Sequence, residues 1–138
     1  MWNLVVVLAE NKPGKLAKIA DILGKNNVDI LMTDIDDEGQ YGIVRLLTSN
    51  PDKARNVLYN ENITAALTKV ALVEIPDKAG ALSVIMKILA EEKINVKQAM
   101  GCILDRGKRA AFIIIPDGDP AEVEEKLAKR GIRILEEI

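Results

Sequence analysis

Apolar and polar residues follow one another in blocks along the chain, and the order of the blocks occurs twice. An unbroken apolar run at residues 4–9 precedes a segment with apolar residues at helical spacing, and a run at 70–75 precedes another. Such runs are typical of strands that are apolar on both faces. The helical positions match at an offset of 66 residues: Leu16 and Leu82, Ile19 and Ile85, Ile22 and Ile88, Leu23 and Leu89. We expect these residues to face a sheet, and the chain to contain an internal repeat.

The first repeat predicts the element order βαββαβ. Asn50 and Pro51 supply an N-cap and a proline at the first helical position, which marks the start of its second helix. Residues 65–67 fit either a strand or a helix. The predicted elements are a strand at 4–9, a helix ending near Lys25, strands at 28–36 and 41–48 around a turn at 37–40, a helix ending near Tyr59 and a short strand at 63–67.

The second repeat predicts the same order. Asp119 to Glu122 resembles a capping box with proline at the first helical position, and Gly131 ends that helix. The predicted elements are a strand at 70–75, a helix at 81–92, strands at 94–104 and 110–115 around a turn at 105–108, a helix after Asp119 and a strand at 132–135.

This order predicts an α+β fold of two tandem ferredoxin-like βαββαβ units, each an antiparallel sheet with two helices on one face. We expect the first domain at residues 1–67 and the second at 68–138. Arg45 interrupts an otherwise apolar central strand. Because two helices cover only one face of a sheet, the other apolar face needs another cover, and a partner chain in a homodimer is the simplest one.

The composition narrows the class of protein. The chain of 138 residues is 49% hydrophobic and 29% charged, with a net charge of −2. This balance is typical of a globular protein and gives no electrostatic reason to bind nucleic acid or an anionic membrane. The lone Cys102 cannot form an internal disulfide, and no apolar run is long enough for a membrane span. We therefore expect a cytoplasmic protein without nucleic-acid or membrane partners.

The loop between the first strand and the first helix carries the candidate chemistry in each repeat. The stretch Asn11-Lys12-Pro13-Gly14-Lys15-Leu16 returns as Asp77-Lys78-Ala79-Gly80-Ala81-Leu82. Glycine lets a ligand approach the backbone closely, and the free amides at a helix N-terminus suit a carboxylate. A nearby carboxamide or carboxylate can hold an α-ammonium group. The pattern therefore fits a small amino acid as ligand.

Two βαββαβ units with these loops, and with second strands beginning Val-Asp-Ile and Ile-Asn-Val, resemble tandem ACT domains. These are amino-acid-sensing regulatory modules of enzymes such as phosphoglycerate dehydrogenase and aspartate kinase, and they bind the effector between two domains. ACT sites that hold serine use asparagine in the loop and on the strand, whereas each repeat here keeps one. This leaves open whether the amino acid differs or one repeat is silent. The resemblance implies these ligand-binding residues: Asn11, Lys12, Pro13, Gly14, Leu16, Asp29, Asp77, Ala79, Gly80, Leu82 and Asn95.

Each of these residues also has a purely structural interpretation. The glycines can serve only to turn the chain, Asn11 and Asp77 can cap helices, and Asp29 and Asn95 suit the turn before a strand. An acidic group at residues 34–38 could attract a divalent cation, but a solvated hairpin tip is the simpler interpretation.

Catalysis is disfavoured, since the chain contains no histidine and no serine or cysteine has an evident activator. That argument also counts against a small ferredoxin-like enzyme such as an acylphosphatase. The sequence therefore predicts a non-catalytic regulatory protein that senses an amino acid and needs no cofactor. The alternative is a regulatory subunit that docks on an amino-acid biosynthetic enzyme, with or without its own ligand.

Overall fold

A computed structural model describes residues 1–10 and 12–138 of the chain. Helices and strands follow each other in the predicted order, and their termini lie within about two residues of the predicted ones except at 63–75. They are β1 Trp2–Glu10, α1 Lys15–Lys25, β2 Ile30–Asp37, β3 Tyr41–Thr48, α2 Pro51–Asn60, β4 Ala65–Pro76, α3 Ala81–Glu91, β5 Val96–Asp105, β6 Arg109–Pro116, α4 Pro120–Lys129 and β7 Arg133–Ile134. No helix in the described part of the chain is both long and apolar enough to cross a membrane.

The chain divides into two compact units. One comprises Asn3–Thr68, and the other comprises Met1–Trp2 together with Lys69–Ile138. The boundary falls inside β4, which is a single strand from Ala65 to Pro76. The separate strands predicted at 63–67 and 70–75 are therefore one strand. No glycine, proline or polar turn interrupts residues 65–75, so nothing local ends the strand between them.

The first unit, residues 3–68, contains an antiparallel sheet in which β3 lies between β1 and β2. Val7 pairs with Val44, and Ile35 pairs with Val44 from the other side. Helices α1 and α2 cover one face of this sheet, with a core of side chains no more than 8% exposed: Val5, Val7, Ile19, Ile22, Leu23, Val44, Leu46, Ala54 and Leu58. The unit is therefore ferredoxin-like, as predicted.

The second unit repeats this arrangement with strand order β5-β6-β4-β7. Leu72 pairs with Ile113, and Gly101 pairs with Phe112. The short β7 pairs with β4 through Val73 and Ile134. Helices α3 and α4 cover one face, with a core that includes Ala71, Val73, Ile85, Leu89, Phe112, Ile114, Val123 and Leu127. Truncating one of the fully buried large residues to alanine costs about 2–5 kcal/mol.

The helices begin in two different ways, and both repeats use both. Asn50 accepts a hydrogen bond from Lys53 N–H at 3.1 Å to start α2, and Asp119 accepts one from Ala121 N–H at 2.9 Å to start α4. Each cap is followed by a proline at the first helical position. Helices α1 and α3 instead begin directly after a glycine, without a side-chain cap.

Two of the eight matched helical residues are not buried in the core. Six of them are buried as predicted, but Leu16 is 41% exposed and Leu82 is 48% exposed. Both residues lie in the first turn of their helix, next to the glycine loop. The apolar stripe of each helix therefore continues past the packed core into the first turn.

The sheet faces opposite the helices were expected to need a partner chain as cover. Leu4, Leu47, Leu72 and Ile113 belong to neither helix-covered core, yet each is fully buried within the single chain. These positions therefore give no reason of their own to require a second chain. Any argument for a homodimer has to come from another surface.

The charge of Arg45 in an otherwise apolar strand is balanced by neighbouring side chains. Its Nη1 donates hydrogen bonds to Asp36 Oδ2 at 2.5 Å and to Asp34 Oδ2 at 3.3 Å. Asp34 lies directly opposite Arg45 in the register of β2 and β3. The arginine that interrupts the apolar strand is thus neutralised by two carboxylates of the adjacent edge strand.

Candidate functional site

The loop at residues 77–80 joins the end of β4 to the start of α3. Gly80 is left-handed, with φ of 91°, and Gly14 at the matched position of the first unit has φ of 90°. L-residues with side chains rarely adopt this conformation, although no atom lies within 4 Å of where a Cβ would be. Both glycines are therefore required by the backbone at the helix start, which supports the structural interpretation of their conservation between the repeats.

A cavity of about 320 Å³ lies between this loop and the β5–β6 hairpin. We call it the strand cavity. The loop side is formed by Asp77, Lys78 and Leu82, and the strand side by Gly101, Ile103 and Phe112. Its size is at the lower end of the range of small-molecule pockets, and it is mainly apolar with few polar groups, as such pockets are.

A second cavity, of about 490 Å³, lies on the other side of the loop. We call it the β7 cavity, and it is lined by Ala79, Gly80, Val84, Ile132 and Arg133 among others. Glu74 also lines it, but this carboxylate is engaged by Arg109 at 3.1 Å and Arg133 at 3.8 Å. Lys78 lines both cavities, but Asp77 lines only the strand cavity.

Asp77 contributes a carboxylate to the rim of the strand cavity. Its Oδ2 accepts a hydrogen bond of 2.6 Å from Gly107 N–H, and its own N–H donates to the carbonyl of Lys108 at 3.2 Å. These bonds tie the loop to the β5–β6 turn. Asp77 does not act as a side-chain cap for α3, because the structure shows no such hydrogen bond for that helix.

Lys78 contributes a cation to the same rim, and its environment differs from that of Lys12 at the matched position. Lys12 forms an ion pair of 2.8 Å with Glu10. This hydrogen-bonded pair raises the pKa of Lys12 and lowers the pKa of Glu10. In the second repeat Pro76 takes the place of Glu10, and Lys78 has no ion pair within the described part of the second unit.

The first turn of α3 adds backbone donors. Ala81 N–H bonds to the Lys78 carbonyl at 3.3 Å and Val84 N–H bonds to the Gly80 carbonyl at 3.2 Å. The N–H groups of Leu82 and Ser83 have no acceptor among residues 1–10 and 12–138. Unpaired first-turn donors and the helix dipole favour an anion here.

The loop of the first unit is only partly described. Asn11 lies outside the described residues, so its predicted role has no structural counterpart. Lys12, Pro13 and Gly14 are exposed, and so is Leu16. Lys12 N–H bonds to the Glu10 carbonyl at 2.8 Å, within a turn that leads into α1.

The polar residues predicted at the second-strand starts are not near the loops of their own units. Asn95 lies before β5, next to the end of β6, whereas Asp77 lies next to the start of β6, since Pro76 pairs with Arg109. The eight residues of β6 span roughly 23 Å at ~3.3 Å per residue. The first unit separates Asp29 from its loop in the same way, because β3 lies between them in the register. Neither unit brings its two polar residues together.

Asn95 and Asp29 instead make local turn contacts. Asn95 Nδ2 donates to Asp117 Oδ2 at 2.5 Å, and Asp29 N–H donates to Ser49 Oγ at 2.9 Å. Asp117 N–H and Ser49 N–H each return a backbone hydrogen bond to Asn95 and Asp29. These contacts match the strand-entry turn that was the alternative interpretation of both residues.

The remaining candidates do not form a reactive centre. Residues 1–10 and 12–138 contain no group of three or more histidine, cysteine or acidic residues that could hold a metal ion. Within the acidic group at 34–38, Asp34 and Asp36 are paired with Arg45. Burial raises the pKa of the Cys102 thiol, which lowers its thiolate fraction at neutral pH.

Lys78 and Gly101 line the strand cavity but were not among the predicted ligand-binding residues. The repeat marks Lys78 only as part of a shared motif with Lys12, and the ion pair that distinguishes Lys12 is visible only in the structure. Gly101 could have been found from the repeat, since the offset of 66 residues aligns it with Ile35 and a glycine in a strand often marks a close approach of a ligand or backbone.

The chain belongs to the ACT domain pair family, whose model matches residues 2–134. ACT domain pairs are a regulatory type of domain, and the fold and the glycine loops described above are the features that led us to expect this family. No curated protein matches the sequence significantly.

Solved structures share the fold. The protein BT0572 from Bacteroides thetaiotaomicron is similar with a TM-score of 0.86 and 24% identity, covering 97% of this chain and 91% of that chain. The ligand-free regulatory subunit of aspartate kinase from Thermus thermophilus is similar with a TM-score of 0.63 and 16% identity, covering 92% and 90%. A structure of aspartokinase alpha and beta subunits has a TM-score of 0.57 and 15% identity, also covering 92% and 90%.

Proposed function

We propose that this chain is a non-catalytic regulatory protein that binds a small amino acid in the strand cavity of its second unit. The observation that carries the proposal is the rim of this cavity, where the carboxylate of Asp77 and the ammonium of Lys78 lie on one loop. An α-amino acid carries the complementary pair of charges, a carboxylate and an ammonium group on adjacent carbons.

The rim offers a partner to each charged group of the ligand. Lys78 and the N–H group of Leu82 suit the ligand carboxylate, because both residues line the cavity and both groups are donors without acceptors in the described part of the second unit. Asp77 accepts one bond from Gly107, and its carboxylate has further acceptor capacity for the ligand ammonium. Each charge-assisted hydrogen bond contributes about 1.5–3 kcal/mol when it is shielded from water.

A regulatory role without catalysis follows from the chemistry of the same residues. The chain has no histidine, and the Cys102 thiol at the strand cavity has a raised pKa, so neither a general base near neutrality nor an activated nucleophile is present there. The site can bind and release a ligand, and it lacks groups that would transform one.

A second copy of the chain is the proposed cover for the open side of this cavity. Strand β5 pairs only with β6 in the described part of the second unit, so its outer edge carries unpaired backbone groups. Leu82 and Ile103, which both line the strand cavity, are exposed by 48% and 60%. A homodimer that joined two such edges would bury these side chains and place the ligand at a domain interface.

The same surface supports the alternative function. An unpaired strand edge flanked by apolar side chains can also dock on a biosynthetic enzyme. Regulatory subunits of aspartate kinase share the fold of this chain, which makes an enzyme of amino-acid biosynthesis the natural class of partner. In that case the chain is a regulatory subunit, with or without a ligand of its own.

A thermal-shift screen with the twenty amino acids tests the proposal. A ligand at about 100 times its Kd should add roughly 2.7 kcal/mol to the free energy of unfolding. Lys78→Met should weaken the binding of that ligand by about tenfold, which corresponds to ~1.4 kcal/mol. The matched variant Lys12→Met should leave the affinity unchanged. The absence of stabilisation by every amino acid would favour the docking subunit instead.

A further inference from the structure

The strand cavity is apolar beyond its charged rim. Its apolar lining includes Ile75, Ala81, Leu82, Ile103, Ala110 and Phe112. No charged residue other than Asp77 and Lys78 lines it. If these two groups hold the charges of an amino acid, the side chain of that amino acid meets only apolar surface.

Gly101 keeps this surface open. It lies on edge strand β5 directly opposite Phe112, so both residues occupy the helix-covered face of the sheet. A Cβ at Gly101 would lie 3.5 Å from the Ala111 carbonyl oxygen and 3.6 Å from Phe112 Cδ1, which are ordinary contact distances. Glycine weakens a strand, and here neither a positive φ nor a steric clash requires it.

The first unit has a side chain at the corresponding place. Ile35 is 66 residues before Gly101 and lies directly opposite Val44, just as Gly101 lies opposite Phe112. Ile35 is 48% exposed on that face. Its side chain occupies the position that Gly101 leaves empty.

The loops before α1 and α3 also differ in a way that favours a ligand in the second unit. Lys12 is bound to Glu10, whereas Pro76 at the matched position leaves Lys78 available. Two substitutions between the repeats, Glu10 to Pro76 and Ile35 to Gly101, thus each favour a ligand in the second unit. They are separated by 25 residues within each repeat and act on different walls of the cavity.

We infer that the second unit alone binds the effector, and that the effector is an amino acid with an apolar side chain that packs over Gly101 onto Phe112. The inference rests on the proposed amino-acid function and adds the ligand class and the asymmetry between the units. The first unit then has a structural role in the pair.

Calorimetric titration of the full chain tests this inference. The probes are L-valine, L-leucine, L-isoleucine, L-methionine and L-phenylalanine, compared with L-serine, L-threonine, L-lysine and L-aspartate. We expect one site per chain and an affinity for the best apolar probe at least tenfold above that for any polar probe. Gly101→Val should reduce this affinity at least tenfold, because its side chain would fill the space for the ligand.

Two further variants keep the result interpretable. Valine favours strands, and a Cβ at this position makes only ordinary contacts, so circular dichroism should show Gly101→Val folded. If it does not fold, Gly101→Ala replaces it, with an expected loss of at least threefold. The matched control Ile35→Val, in the first unit, should leave the affinity unchanged.

The outcomes separate the inference from the proposal on which it rests. Binding of a polar amino acid in preference, two sites per chain, or unchanged affinity in a folded Gly101 variant would each overturn the inference while amino-acid binding stands. If none of the probes and no other amino acid binds, the proposed function fails and the inference fails with it.

Discussion

The carboxylate of Asp77 accepts a hydrogen bond of 2.6 Å from the backbone N–H of Gly107. This bond links the loop before α3 to the turn of the β5–β6 hairpin, and residues of the loop and of the two hairpin strands line the strand cavity. A contact between residues 30 positions apart therefore ties together the two parts of the chain that form the cavity.

Asp77→Ala should lower the free energy of unfolding by about 0.5–1.5 kcal/mol, the usual net contribution of one hydrogen bond near the surface. Urea unfolding followed by circular dichroism measures this. Asp77→Asn keeps an acceptor oxygen and should retain most of the stability, while it weakens binding of the ligand ammonium. Equal stability of the wild-type and alanine proteins would show that the contact does not hold the loop.

Arg45 should stabilise the fold mainly by neutralising the carboxylates of Asp34 and Asp36. Its side chain is 17% exposed, and Asp34 and Asp36 are 32% and 47% exposed. Arg45→Met should destabilise the fold by about 1–2 kcal/mol, less than for a fully buried pair because water screens the carboxylates. Replacing both aspartates with asparagine in the same chain should restore most of the loss in urea unfolding. A triple variant as unstable as the single one would contradict this explanation.

Glu124 should make stability depend on pH. It lies on α4 and accepts a hydrogen bond of 3.4 Å from Leu72 N–H. Burial raises the pKa of its carboxyl above the usual 4.5, and the bond from Leu72 offsets part of the increase. The folded chain thus holds the proton more tightly than the unfolded chain. This stabilisation is complete below about pH 4.5 and is lost as the pH rises through the folded pKa.

Glu124→Gln removes that titration and keeps an acceptor for Leu72. The free energy of unfolding of this variant, relative to wild type, should therefore increase between pH 4 and pH 7. Urea unfolding at several pH values measures the difference. Glu38→Gln, at an exposed hairpin tip of the first unit, should give a smaller change over this range. A difference for Glu124→Gln that decreases with pH would reverse the sign and exclude the explanation.

The exposed edge of β5 predicts self-association. Ile103→Asp should shift the chain from dimer to monomer in sedimentation velocity at micromolar concentration, because it places a charge beside the strand edge. Tyr59→Asp is the control, since Tyr59 is 70% exposed on α2 in the first unit and lies on a different surface. A wild-type chain that is monomeric under these conditions would exclude the homodimer.

Local sequence signals predicted most of the fold. Asn50 and Asp119 mark helix starts through a cap that depends on adjacent residues alone. Leu16 and Leu82 are more exposed than the other matched residues, because periodicity shows which side of a helix is apolar and does not show where the core ends along it. The continuity of β4 was readable from residues 65–75, which contain no glycine or proline, but the βαββαβ repeat led us to divide them into two strands.

The site was predictable only in part. The repeat predicts the loop with Asp77 and Gly80. The predicted association of this loop with Asn95 is absent, because the two lie at opposite ends of β6. Strands β4 and β5 both run antiparallel to β6, so the end of one and the start of the other must lie at opposite ends of the sheet. Gly101 can be connected with the strand cavity only through the strand register, which places it opposite Phe112.

Binding of an amino acid in the strand cavity of the second unit is tested most directly by NMR. The isotope-labelled full chain is titrated with L-leucine, and amide chemical shifts are followed. We expect the largest shifts at residues 77–83, at 101–103 and at 110–112. Shifts centred on the loop at 12–16, or on Asn95 and Asp117 at the far end of the sheet, would contradict it.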